Sequence, residues 1–104
     1  MSAPPDTIAT YLHLTREVLP ALARTAGRDW PVREDHCFQR IVLDTICGGT
    51  WYAHIDRPAY KHLSPDQAKR AVALCQAIAA GRADLRQLNR QSLIWRGKKV
   101  AARR

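Results

Sequence analysis

The chain has 104 residues, 46% of them hydrophobic and 25% charged, which is room for a single domain (1–104) and excludes a second independent core. Its three cysteines lack C-x-x-C spacing, which argues against a disulfide framework or a closed zinc motif, and no run of about 18 apolar residues predicts a membrane span. The N-terminus has neither the basic nor the apolar region of a secretory signal. These features predict a cytoplasmic protein with no membrane partner, no bound metal and no cofactor.

The net charge of +8 is concentrated in the second half of the chain. Residues 1–52 contain five arginines against six acidic residues, whereas residues 53–104 contain twelve lysines and arginines against three acidic residues. Clustered positive charge raises the local concentration of phosphate or of acidic surfaces. The asymmetry therefore predicts an anionic partner, with nucleic acid the first expectation and an acidic protein the second.

The first predicted helix starts at Asp6, whose side chain can cap it. Its apolar positions recur at the helical spacing of 3.6 residues. They are Ile8, Tyr11, Leu12, Val18, Leu19 and Leu22. Pro20 interrupts this pattern, because its ring clashes with the carbonyl of Arg16 and it has no N–H to donate. We expect a kink there, or a new short helix that ends near Gly27.

The second predicted helix begins at Glu34 and Asp35, since carboxylates suit a helix N-terminus, and it stops at Gly48. Two sets of side chains lie on opposite faces of it. One set is Cys37, Phe38, Ile41, Val42, Thr45 and Ile46, and the other is His36, Arg40, Leu43, Asp44 and Cys47. We expect this helix to be covered on both faces. Coverage by another chain would make the protein a homo-oligomer or a subunit of a larger assembly.

Two more helices complete the pattern. The run Ser64-Pro-Asp-Gln67 is a capping box and opens a helix that Gly81 ends. Asp84 opens the last helix, which turns Leu85, Leu88 and Trp95 inward, and residues 97–104 form a basic tail. The predicted fold is all-α, a compact bundle of four or five helices with this tail.

A basic ridge is predicted along the last helix. Arg82, Arg86 and Arg90 recur at i, i+4 and i+8, so they line one side of a helix and can follow a phosphate backbone. The candidate nucleic-acid or anion-binding residues are Arg82, Arg86, Arg90, Trp95, Arg96, Lys98 and Lys99. An exposed Trp95 could stack on a base. The alternatives are a solvated helix face with Trp95 as a core anchor, and a helix-turn-helix over residues 64–96.

A ligand groove is the competing prediction. His36, Arg40 and Asp44 are successive i, i+4 neighbours followed by a connector rich in aromatic residues, and aromatic walls with a few polar groups are typical of small-ligand pockets. The candidate lining residues are His36, Arg40, Asp44, Trp51, Tyr52, His54, Arg57, Tyr60 and Lys61. This pattern predicts a sensor or enzyme for an anionic metabolite, with His36 as acid, base or ligand contact. Alternatively, Arg40 and Asp44 form an ion pair and the aromatic residues pin the connector.

The chain also resembles a group of small bacterial proteins of unknown function from Asp35 onward. The similarity rests on Asp35-His-Cys-Phe-Gln-Arg-Ile-Val-Leu-Asp44, Gly48, Trp51-Tyr52, Arg57, Ala59-Tyr-Lys61, Leu88-Asn89, Ser92-Leu93 and Trp95-Arg-Gly-Lys98. Some members are labelled acetyltransferases. The acetyl-CoA-binding fold of the common N-acetyltransferases needs a mixed sheet and a glycine-rich pyrophosphate loop, and these residues predict neither. The resemblance implies a shared fold, and it assigns no catalytic residue.

Overall fold

The computed structural model describes residues 2–25 and 29–97. Its helices are α1 (Pro5–His13), α2 (Leu19–Thr25), α3 (Asp35–Cys47), α4 (Pro65–Ala79) and α5 (Leu85–Trp95). No loop separates α1 from α2, so the described residues form four helical rods and include no strand. The predicted all-α bundle is confirmed, whereas residues 98–104 of the basic tail lie outside the described residues.

The first rod begins earlier than predicted. Asp6 lies within the first turn of α1, and Pro4 occupies the N-cap position without a side-chain hydrogen bond, so the predicted cap at Asp6 is wrong. Pro5 accounts for the earlier start, because proline at the first helical position loses no helical hydrogen bond and already has a helical φ. The Asp6 carboxylate still complements the positive end of the helix dipole.

Pro20 interrupts the helix as predicted, through a wider turn that precedes it. Leu14–Val18 form a π-helical turn in which the N–H of Leu19 donates to the carbonyl of Leu14. Pro20 cannot donate to the carbonyl of Arg16, and the wider turn accommodates this missing bond before α2 continues. The new short helix therefore starts at Leu19, and its predicted end lies outside the described residues.

The central helix is α3, which packs against α4, α5 and the π-helical turn. Phe38, Ile41 and Val42 are buried on one side of it, and Leu43 and Asp44 on the other. The prediction that this helix is covered on both faces is thus confirmed, with the cover supplied by the chain itself. Small buried residues of α4, Ala68, Ala71 and Cys75, allow that helix to approach closely.

The caps of α4 and α5 follow the sequence signals. The hydroxyl of Ser64 accepts the N–H of Gln67 at 3.1 Å, and Oε1 of Gln67 accepts the N–H of Ser64 at 2.8 Å. Gly81 follows α4 with φ 77°, a left-handed conformation that glycine adopts without strain. At the start of α5, Oδ1 of Asp84 accepts the N–H of Gln87 at 3.2 Å. These three predictions are confirmed.

The inward face of α5 differs from the predicted one. Leu85 is buried and Leu88 is half-buried, as expected, but Trp95 is 36% exposed, so its assignment as a core anchor is wrong. Ser92 takes the buried position seven residues after Leu85. The reason lies in a polar contact between α5 and α3, which fixes the rotation of α5.

Candidate anion-binding cavity

A fully buried carboxylate organises the site. Asp44 has 0% exposure, and its Oδ2 accepts the hydroxyl of Ser92 at 2.6 Å and Nε of Arg96 at 2.8 Å. Its Oδ1 accepts the backbone N–H of Trp51 at 2.9 Å and Nη2 of Arg96 at 3.2 Å. Burial of a charge is tolerated only when it is paired and hydrogen-bonded, and these four hydrogen bonds meet that requirement.

This network joins three separate parts of the chain. Asp44 lies on α3, Trp51 lies in the α3–α4 connector (residues 48–64), and Ser92 and Arg96 lie on and just after α5. The connector and the end of α5 are therefore both fixed to α3 through one side chain. We call these four residues with Arg40 the Asp44 network.

Arg40 contacts the network from one turn earlier on α3. Its Nη1 donates to the hydroxyl of Ser92 at 2.8 Å, and its Nη2 donates to Oδ1 of Asn89 at 2.7 Å. The predicted ion pair of Arg40 with Asp44 is wrong, since Ser92 bridges the two residues and Arg96 is the cation at Asp44. Arg40 is oriented by neutral groups, so its positive charge is not cancelled in this contact.

A cavity of about 640 Å³ adjoins this network between α1, α3 and the connector. We call it the first cavity. Its apolar and aromatic walls include Tyr11, Leu12, Leu43, Trp51 and Tyr60. Its polar walls are His36, Gln39, Arg40, Arg57 and Arg96, and the described lining contains no Asp or Glu. Three arginines thus line one cavity, and among residues 2–25 and 29–97 the one carboxylate that pairs with any of them is Asp44.

Aromatic rings hold two of these arginines. The guanidinium carbon of Arg57 lies 5.2 Å from the ring centroids of both Trp51 and Tyr52, and that of Arg96 lies 5.3 Å from the ring of Tyr52. Such cation–π contacts orient a guanidinium while leaving its charge in place. Arg57 is exposed, so its charge is available to a ligand at the cavity mouth.

The predicted groove is only partly the observed cavity. Five of its nine residues line the cavity, namely His36, Arg40, Trp51, Arg57 and Tyr60. The other four lie elsewhere. Asp44 is buried in the network, Tyr52 and His54 are exposed, and Lys61 borders a different cavity.

Among the polar lining residues of the first cavity, sequence reasoning missed Gln39 and Arg96. Gln39 lies three residues after His36, so helical spacing already places both on one face. Its Nε2 donates to the hydroxyl of Thr15 in the π-helical turn at 3.1 Å. From the sequence, Arg96 is predicted to belong to the basic ridge. An aspartate on a helix that is covered on both faces, such as Asp44, is nevertheless a signal that a cation from elsewhere in the chain lies beside it.

The described part of the basic ridge is less regular than predicted. Arg82 precedes α5, Arg86 and Arg90 are exposed on it, and Arg96 is held inward by Asp44. Arg86 pairs with Asp29 at 2.7 Å. Of the other predicted members, Trp95 is exposed, and Lys98 and Lys99 lie outside the described residues. The four described side chains outside the network remain a candidate surface.

Burial controls the titration of the core groups. It raises the pKa of the Cys75 thiol to about 12 and, as the largest effect, raises that of Tyr11 above its ordinary value of 10.0. The pKa of Arg96 is raised above its ordinary value, chiefly by its hydrogen bond to Asp44. Cys75 therefore stays protonated at neutral pH and is a poor nucleophile, while Arg96 stays charged. A permanently charged Arg96 in the lining of the first cavity suits an anionic ligand.

Residues 2–25 and 29–97 contain no group of three or more His, Cys, Asp or Glu side chains that could hold a metal ion. No helix among the same residues is long and apolar enough to cross a membrane.

Comparison of the chain with protein families, with curated proteins and with solved structures finds no match. The resemblance to small bacterial helical proteins therefore stays a prediction. The charge and shape of the first cavity are the strongest indication of function.

Proposed function

We propose that the protein is a small-ligand sensor that binds an anion in the first cavity. The observation that supports this proposal best is the imbalance of charge around the cavity. Arg40, Arg57 and Arg96 line it, Asp44 pairs with one of them, and the described lining has no carboxylate of its own. An anionic ligand would restore the balance, whereas a cationic ligand would be repelled.

The arginines suit a carboxylate or phosphate head group. A guanidinium presents a planar fork of donors that matches the two oxygens of such an anion. Arg40 is held by Ser92 and Asn89, and Arg57 by the rings of Trp51 and Tyr52, so each loses little side-chain entropy on binding. We assign the head group to these two arginines.

The three tryptophans provide a site-selective test. Trp51 lines the first cavity, whereas Trp30 packs edge-to-face on Phe38 at 5.7 Å and Trp95 lies on α5. The indole N–H signals can be followed by two-dimensional proton–nitrogen NMR during titration with benzoate, with benzyl alcohol as the neutral control. Substitutions W30F and W95F assign the signals.

Benzoate should move the Trp51 signal along a saturable curve and leave the signals of Trp30 and Trp95 in place. Benzyl alcohol at the same concentration should have a much smaller effect, because it lacks the charge. Equal shifts at all three indoles, or no shift at Trp51 with millimolar benzoate, would contradict the proposal.

We propose, as a second candidate function, electrostatic contact of nucleic acid through the outer side of α5. The exposed indole of Trp95, beside a run that carries Arg82, Arg86 and Arg90, supports it. Binding to labelled DNA and RNA across a salt series, compared with a variant carrying all three arginines changed to Glu, tests it. Binding that persists near 150 mM salt and vanishes in the variant supports this function. The non-specific attraction of a basic protein to nucleic acid is lost at that salt concentration.

A further inference from the structure

A second cavity adjoins the first one. It measures about 410 Å³ and lies between the N-terminal segment, α1 and the end of the connector. Leu12 and Tyr60 belong to the linings of both cavities. A ligand that crosses these two side chains would therefore occupy both cavities at once.

The two cavities differ in chemistry. Ile8, Leu12, Tyr60 and Leu63 give the second cavity mainly apolar walls, and Lys61 is its one charged residue among those described. The first cavity instead has three arginines. Apolar side chains that line an open groove leave hydrocarbon in contact with water, and covering them is favourable. The arginines therefore lie at the first cavity, and the mainly apolar walls lie at the second.

We propose that the ligand is a free, long-chain anionic amphiphile, such as an alkyl carboxylate of about ten carbons or more. This proposal rests on the proposed function and adds the ligand class to it. The carboxylate binds at Arg40 and Arg57, and the alkyl chain crosses Leu12 and Tyr60 into the second cavity. Charge complementarity selects the head group, and the apolar lining selects the chain.

Titration calorimetry with hexanoate, octanoate, decanoate and dodecanoate, each kept below its micelle concentration, tests the proposal. Each methylene that becomes buried should raise the affinity about fourfold, which is the fold-change equivalent of about 0.8 kcal/mol. Decanol, which has a chain and no charge, should bind much more weakly than decanoate. An affinity that does not rise with chain length would overturn the proposal.

A cavity-filling variant localises the chain. Ala9 is exposed on α1 and lines the second cavity but not the first, so Ala9→Phe narrows the second cavity without a change in the core. Ala73→Phe is the matched control, because Ala73 is exposed on α4 and lines none of the described cavities. Ala9→Phe should flatten the dependence on chain length, and Ala73→Phe should preserve it.

The outcomes separate this proposal from the proposed function. Tight benzoate binding with no gain for long chains, or a chain-length gain that Ala9→Phe leaves intact, overturns the amphiphile and leaves the anion site standing. No binding of any anion, short or long, overturns both. Sedimentation with anionic phospholipid vesicles, unchanged by Ala9→Phe and without binding of monomeric decanoate, would assign the attraction to surface charge and also overturn the amphiphile.

Discussion

Two arginine–carboxylate pairs at opposite ends of α5 have almost the same length and very different surroundings. Arg96 lies 2.8 Å from Asp44, and the two side chains are 20% and 0% exposed. Arg86 lies 2.7 Å from Asp29, and these side chains are 58% and 97% exposed. Water and salt screen the outer pair, whereas in the inner pair the carboxylate is fully buried and only the guanidinium is partly exposed. The distance between the two groups of an ion pair therefore says little about how much the pair contributes to stability.

The inner pair also has structural consequences that the outer pair lacks. Asp44 binds Arg96, Ser92 and the backbone of Trp51, so it holds α5 and the connector to α3. Through Ser92 it also positions Arg40 at the first cavity. The outer pair joins two exposed side chains, and Nη2 of Arg86 also donates to the backbone carbonyl of Asp29 at 2.8 Å. Of the two pairs, we expect only the inner one to have a large effect on stability and on ligand binding.

The largest effect is expected from Arg96→Gln. The substitution leaves the buried carboxylate of Asp44 without its cation, and breaking a buried pair in this way costs roughly 3–5 kcal/mol in the free energy of unfolding. Urea denaturation followed by circular dichroism measures it. A loss below about 1 kcal/mol would mean that solvent reaches the pair and that the contrast with Arg86 is false.

A double variant sharpens this prediction. Asp44→Asn removes the charge from the other side, and the combination with Arg96→Gln should destabilise by less than the sum of the two single changes, because no unpaired charge remains buried. A coupling of about 1 kcal/mol or more is expected for residues in one network. Additive effects would contradict a direct interaction of the two groups.

The second largest effect is a loss of folding stability at high pH, where the buried side chains of Cys75 and Tyr11 lose their protons more readily in the unfolded chain. Burial raises the pKa of the Cys75 thiol from 9.0 to about 12, so the folded state keeps a proton that the unfolded state loses above pH 9. Stability from this group is fully present below pH 9 and is lost as the pH rises from 9 to 12, at about 1.4 kcal/mol per pH unit. Tyr11, whose pKa is raised above 10.0, adds to the loss above pH 10.

Urea midpoints measured at pH 8, 9, 10 and 10.5 test this pH dependence. The midpoint should be level up to pH 9 and should then fall, and Cys75→Ala should fall less steeply than the natural chain. A level midpoint through pH 10.5, or the same slope in both chains, would show that the buried thiol does not control alkaline stability.

The smallest effect is expected from Arg86→Gln, which is the same substitution in the outer pair. Exposed pairs contribute 0 to about 1 kcal/mol, and with Asp29 almost fully exposed we expect the lower end of that range. Urea denaturation at 0.05 M and 1 M NaCl measures the change and its screening. A loss comparable to that of Arg96→Gln would remove the distinction between the two pairs.

The start of α4, the start of α5 and the glycine ends of α3 and α4 were predictable from sequence because their causes are local. Ser64 with Gln67 and Asp84 with Gln87 are contacts between residues three positions apart, and Gly48 and Gly81 adopt left-handed φ values of 71° and 77°. Such features depend on the residues themselves and their immediate neighbours.

The site was predictable on α3 and in part of the connector, where Trp51, Arg57 and Tyr60 line the cavity as expected, but not at the end of α5. His36 and Arg40 share a helix face, which spacing reveals, but Asp44 meets Arg96 across 52 residues, and no local rule identifies that partner. The same contact rotates α5 so that Ser92 faces inward and Trp95 outward. A tertiary polar contact thus overrode the apolar pattern of the last helix.

The most direct test of the anion site compares Arg57→Gln with Arg90→Gln by calorimetric titration with decanoate. Both side chains are exposed and each change removes one positive charge, but Arg57 lines the first cavity and Arg90 does not. A charged hydrogen bond contributes about 1.5–3 kcal/mol, so Arg57→Gln should weaken binding about tenfold or more while Arg90→Gln leaves it unchanged. Equal weakening by both changes, or by neither, would contradict an anion site at this cavity.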